Sequence, residues 1–96
     1  MRNLYLVAYD IRDPKRLRAV FKLMRGHGDH LQYSVFRCEL SDRERAELVT
    51  RLGEKIKPSE DQVLLVPLGP ANGQREVQIH ALGLPYVASV HEALVI

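Results

Sequence analysis

An unbroken run of apolar and aromatic residues, Leu4-Tyr5-Leu6-Val7-Ala8-Tyr9, ends on a carboxylate at Asp10. A short apolar run of this kind reads as a central strand covered on both faces. Side chains alternate along a strand, so Asp10 shares a face with Leu6 and Ala8, while Tyr5, Val7 and Tyr9 point the other way. An acid at the end of a central strand is costly unless something pairs with it. Its ordinary use would be to cap the next helix. Asp13-Pro14 supplies a better cap, an N-cap residue followed by a proline whose missing N–H is harmless at the first helical position. Asp10 is thereby left for other work.

The spacing predicts a helix over 14–25, with Leu17, Val20, Phe21 and Met24 forming one inward stripe. Arg18, Lys22 and Arg25 share the opposite side, and Lys15 and Arg16 stand near the helix start. Cations in a first turn oppose the helix dipole, which makes Arg16 a poor choice for stability. These cations form either a solvated face or a surface for phosphate. Gly26 and Gly28 end the helix. His27, Asp29 and His30 invite a metal reading, but no further His/Cys cluster stands nearby to complete a ligand set.

Residues 31–40 alternate. Leu31, Tyr33, Val35 and Arg37 face one way, and Gln32, Ser34, Phe36, Cys38 and Leu40 the other. Without Gly or Pro to mark a turn, propensity favours one long strand or a sharp bend near Tyr33-Ser34. Ser41 and Glu44 form a capping box for a second helix, with Leu48, Val49, Leu52 and Ile56 inward and Lys57-Pro58 as its stop. Asp61 to Leu68 reads as another buried strand, with Glu60-Asp61 in an exposed turn before it. After a turn-rich loop, residues 76–80 alternate as a strand. Residues 1–82 therefore form the domain, and 83–96 an apolar tail.

At 96 residues the chain is one domain, small enough to gain from dimerisation. A single cysteine, Cys38, excludes an internal disulfide and a cysteine-based zinc site, and fits a reducing cytoplasm. The N-terminal apolar run is too short for a signal-peptide core or a membrane span. Net charge is +2, unevenly spread: residues 1–40 hold eight Lys/Arg against four Asp/Glu. A basic first half suggests a polyanionic partner. The order of elements points to an α+β sandwich. It is ferredoxin-like, βαββαβ with an additional C-terminal strand, if the middle segment counts as two strands. Two helices cover one sheet face only, and a homodimer is the simplest cover for the other.

No Ser-His-Asp or Cys-His arrangement can be argued, and no glycine-rich phosphate cradle opens a helix. Divalent-ion chemistry on phosphodiesters asks for more than one carboxylate, so a lone Asp10 makes a thin site. A two-fold axis could bring two copies of Asp10 together around one Mg²⁺ (or Mn²⁺).

Tyr5-Leu6-Val7-Ala8-Tyr9-Asp10-Ile11, then Arg16 and Arg18, then residues 28–38 with their Gln32-Tyr33-Ser34-Val35-Phe36 core, closely resemble the small adaptation proteins of CRISPR systems, the Cas two family. The resemblance is specific over 4–40, loose through 61–68, and fades after Gly69. It implies a ferredoxin-like fold forming a symmetric homodimer, with the middle segment as two short strands. It also implies Asp10 at the dimer interface as the Mg²⁺ ligand. Tyr9, Arg16, Arg18, Ser34 and Phe36 match positions the family associates with the nuclease site or its support, and His30 stands where some relatives carry arginine. The implied activity is metal-dependent cleavage of single-stranded RNA or duplex DNA, with Asp10, Tyr9, Ser34 and Phe36 at the catalytic site. Arg16, Arg18, Lys22 and Arg25 would hold nucleic acid. A different class remains open: a non-catalytic scaffold that binds duplex DNA and docks the larger adaptation integrase. A regulatory ferredoxin-like domain for a small ligand is a third.

Overall fold

The computed structural model describes residues 1–71 and 79–87. Its elements run β1 (Arg2–Asp10), α1 (Pro14–Arg25), β2 (Gly28–Gln32), β3 (Val35–Ser41), α2 (Asp42–Lys55) and β4 (Gln62–Pro70). The strands form one sheet in the order β2-β3-β1-β4, with every neighbouring pair antiparallel. This is the ferredoxin-like α+β arrangement expected from the order of elements. The additional C-terminal strand was expected over 76–80, and residues 76–78 lie outside those described, as does the tail from 88 onward. Among the described residues no helix is long and apolar enough to cross a membrane.

β1 is central because β3 pairs along one edge and β4 along the other. Tyr5, Val7 and Tyr9 are buried with Phe36, Cys38 and Leu40 of β3 against Val20, Met24, Leu48 and Leu52 of the two helices. That single layer is the core. Among the described residues, cover is found on one face of β1 only. Leu6, Ala8 and Val35 on the opposite face are only half-buried, and Leu64 and Val66 beside them are 50% and 44% exposed. The run is apolar on both sides because one side meets helices, and the other is an open face of the kind that marks an interface.

Helix ends follow their residues. The Asp13 carboxylate accepts the Arg16 backbone N–H at 3.0 Å, and Pro14 opens α1. Ser41 Oγ accepts the Glu44 N–H while Glu44 accepts that of Ser41, completing the capping box of α2. Two expected core residues are only partly inward: Leu17 and Val49 are each 41% exposed. Leu17 lines an open cleft beside the Tyr33-Ser34 turn.

The middle segment is a hairpin and not one strand. Val35 pairs with Gln32, leaving Tyr33-Ser34 as a two-residue loop, and a bulge at Leu31 shifts the register of β2 against β3. The turn is made without glycine by placing Tyr33 at φ 34°. Such loops need positive φ, which glycine or asparagine normally provides; here a tyrosine does it. Glycine is required elsewhere in the hairpin. A Cβ on Gly28 would come within 2.5 Å of both the Arg37 carbonyl oxygen and Cys38 Sγ.

Candidate carboxylate site and basic face

Asp10 ends β1 opposite Gln62, exposed on the open face of the sheet. The hairpin turn lies beside it, since the Tyr9 N–H donates to the Ser34 carbonyl at 3.1 Å. The cap at Asp13 leaves Asp10 unclaimed, and among the described residues no Lys or Arg forms an ion pair with it. Asp10, Ser34 and Tyr33 line one cleft of about 570 Å³ with Leu17, Phe21 and Arg18 of α1. The structure therefore brings Asp10, Ser34 and Arg18 to one place.

Tyr9 and Phe36 contribute from behind. Phe36 has no exposed surface and Tyr9 only 6%, so direct chemistry by Phe36 is ruled out by burial. Their rings stack at 6.2 Å between centroids, and Phe36 also meets the rings of Phe21 and His30. Burial pushes the Tyr9 hydroxyl above the ordinary phenol range. The pair is a packed floor under the end of β1. His30 is tied into the same floor, with Nε2 2.6 Å from the Tyr33 carbonyl.

Arg16 is engaged in a way the sequence did not indicate. Its Nε lies 2.8 Å from Asp61 Oδ2 and its Nη2 2.9 Å from Glu60 Oε1. Asp61 also accepts the backbone N–H groups of Arg12 and Lys57, at 3.0 and 2.8 Å, and its side chain has no exposed surface. The expectation of an exposed turn holds for Glu60 and fails for Asp61. A buried carboxylate needs partners, and the ends of three segments supply them. The Arg16 guanidinium, with the two backbone donors, holds the Asp61 carboxyl far below the usual carboxylate range. Arg16 is raised in turn. This knot fixes the loop 11–13 that leaves the Asp10 end of β1. No local pattern announces it, because Arg16 and Asp61 are 45 residues apart.

The remaining cations of α1 behave differently. Lys15, in the first turn, is exposed and forms no ion pair among the described residues. Arg18, Lys22 and Arg25 are exposed, and among the described residues none pairs with a carboxylate. Arg25 lies 5.7 Å from the Phe21 ring centroid. They form a solvated positive stripe leading from the Asp10 cleft. Arg2 and Arg37, also in the basic first half, are paired with Glu39 and Glu44 and with Asp29. The excess positive charge is therefore concentrated on α1.

Among the described residues no group of three or more His, Cys, Asp or Glu side chains could hold a metal ion. Among the described residues one chain thus offers a divalent cation a single carboxylate in this cleft, which does not fit a complete site.

Comparison with known proteins gives a consistent result. Residues 2–75 match the family described as CRISPR associated protein Cas2. A CRISPR-associated endoribonuclease Cas2 of Rhodospirillum rubrum is 40% identical over 92 residues, covering 96% of this chain and 89% of that one. The endoribonuclease Cas2 of Geobacter sulfurreducens is 34% identical over 96 residues, the full length of both. The crystal structure of Streptococcus pyogenes Cas2 superposes with a TM-score of 0.68 at 34% identity, covering 81% of this chain and 99% of that one. With the ferredoxin-like sheet, the Asp10 strand end and these matches together, the chain belongs to the Cas2 family of CRISPR-associated proteins.

Proposed function

We propose that this protein is a nuclease of CRISPR adaptation whose phosphodiester-cleaving site is built on Asp10 and completed by a second copy of the chain. One observation carries the reading. Asp10 is an exposed, unpaired carboxylate on the apolar open face of the sheet, at the mouth of a cleft that Arg18 and Ser34 share. A two-fold axis through that face would bury Leu64 and Val66 and bring the two carboxylates together. The naming of the relatives as endoribonucleases supports the same reading.

A bound Mg²⁺ would supply charge neutralisation at the phosphate and a more acidic water. The chain's own residues do the rest. Arg18 holds a phosphate in the cleft, and Lys22 and Arg25 track the backbone beyond it. The Ser34 hydroxyl is placed to orient a water or a phosphate oxygen. Tyr9 and Phe36 keep the strand end rigid, and the Arg16–Asp61 knot fixes the loop beyond Asp10. The substrate is single-stranded RNA or duplex DNA.

That the described residues of one chain hold no complete ligand set favours a second reading, a dimeric scaffold that binds DNA for the larger adaptation integrase without cutting it. The experiment compares wild type with Asp10→Asn on labelled single-stranded RNA and duplex DNA with Mg²⁺, after both proteins are checked for dimer mass and nucleic-acid binding. Metal-dependent cleavage lost only in the variant supports the nuclease. No cleavage by either, or equal cleavage by both, removes Asp10 as a catalytic residue and leaves the scaffold.

A further inference from the structure

Among the described residues Tyr33 is the only non-glycine with positive φ, and it is the most exposed aromatic, at 87%. A bulky residue in that region is a steric outlier, and asparagine or glycine would adopt it more easily. The strain is held in place by both turn carbonyls. That of Tyr33 lies 2.6 Å from His30 Nε2, and that of Ser34 accepts the Tyr9 N–H. His30 and Tyr9 belong to the packed aromatic floor, so the direction of the turn is fixed by the core. The result is a flat ring held in solvent at the edge of the Asp10 cleft, where strain of this kind marks function.

The rest of the cleft says what such a ring would meet. Its walls are mainly apolar, from Leu17, Phe21, Pro14 and Ile11, with Arg18 as the one cation and Asp10 as the one carboxylate. An apolar slot with a free aromatic face and a single guanidinium suits one nucleotide, the base stacked on the ring and the phosphate on Arg18. A base inside a duplex has both faces covered by its neighbours and cannot use the ring.

We propose that Tyr33 is a base-stacking residue, and that the Asp10 cleft takes a nucleotide whose base is unpaired. The proposal rests on the nucleic-acid reading above and deepens it by choosing single strands. It is tested by binding alone, without divalent metal, so that an inactive nuclease still gives an answer. The probes are a fluorescein-labelled twelve-nucleotide oligo(dT) and a blunt duplex of about the same length, read by anisotropy with wild type, Tyr33→Phe, Tyr33→Ala and Tyr33→Asn.

Loss of one stacked base corresponds to roughly 5- to 150-fold weaker single-strand binding in the alanine variant. Tyr33→Phe keeps the ring and stays within about 2-fold of wild type, and duplex binding is unchanged throughout. Tyr33→Asn suits the backbone better, so it retains or raises Tm while losing single-strand affinity to the same degree. That separates stacking from folding. Equal loss on both probes, or no loss on the single strand, overturns the proposal. Wild type that binds neither probe overturns it together with the reading beneath it, whereas binding that responds to Tyr33 with no cleavage in the Asp10 assay removes only the nuclease.

Discussion

Of the five cations of α1, Arg16 is spent in an ion pair, while Lys15, Arg18, Lys22 and Arg25 form none among the described residues. Arg18, Lys22 and Arg25 share one face, and this division gives a quantitative prediction. Arg16 is neutralised by Asp61 and Glu60 at 2.8 and 2.9 Å. Arg18, Lys22 and Arg25 are exposed and spaced over seven residues of helix, a reach of about 10 Å at ~1.5 Å per residue. Each phosphate contact releases counterions, and for a single strand log K falls against log salt by about 0.7 per contact. If all three cations meet phosphates of one strand, replacing them together with glutamine flattens that slope by about 2. Replacing Arg16 alone leaves the slope unchanged and lowers Tm, because it opens the buried side of Asp61. The assay is titration of labelled single strand at four or more salt concentrations, with thermal unfolding of the same samples. An unchanged slope in the triple variant refutes phosphate contact by this face. A slope drop in Arg16→Gln equal to that of one free cation refutes the division itself.

Three further outcomes follow from the packing. Gly28→Ala drives a methyl into the Arg37 carbonyl and Cys38 Sγ, both at 2.5 Å; the expected cost is about 2 kcal/mol. Calorimetry should then show Tm lowered by about 8–16 °C, and an unchanged Tm would mean the hairpin is not closed this tightly. Asp61 has a depressed carboxyl, so its stabilisation is complete above the unfolded-chain value and is lost as pH falls below it. Tm of the wild type should therefore decline between about pH 5 and about pH 2 more steeply than that of Asp61→Asn, and parallel curves would deny the linkage. The Cys38 thiol is wholly buried and pushed up to about 11, first by burial and then by the nearby Asp29 charge. Near pH 8 a thiol reagent should leave it intact in the native protein and label it on denaturation; rapid native labelling would contradict its placement.

What could be read from the residues was what local rules govern. The Asp13-Pro14 cap, the Ser41–Glu44 box and the apolar stripes of α1 and α2 are short-range devices, and each lies where its spacing puts it except Leu17 and Val49, which are only partly inward. Propensity left the hairpin undecided between one strand and a bend near Tyr33-Ser34, because the turn is made by those residues with no glycine; the family resemblance implied two strands. Asp61 escaped for the opposite reason. Beside Glu60 and near Pro58 it looks like any polar turn residue, and its burial is decided by Arg16 and the Arg12 amide. Arg16 looked unfavourable at the start of α1 because its partner lies on another segment. The free state of Asp10 was legible by elimination, since a better cap stood three residues on, while the alternation around Phe36 left open which face turned inward, and the structure buries it fully.

The distant pairing also has a consequence in time. During synthesis β1, α1 and the hairpin emerge well before Asp61, and the loop after Asp10 has only Arg12 and Arg16 with which to wait. Until β4 docks along β1, that loop lacks the Asp61 carboxylate that accepts the Arg12 amide and pairs with the guanidinium. The carboxylate that marks the site is thus among the first residues made and among the last to be set in place. A product broken off before residue 61 carries Asp10, the basic helix and the tyrosine turn, yet has no fixed geometry in which to use them.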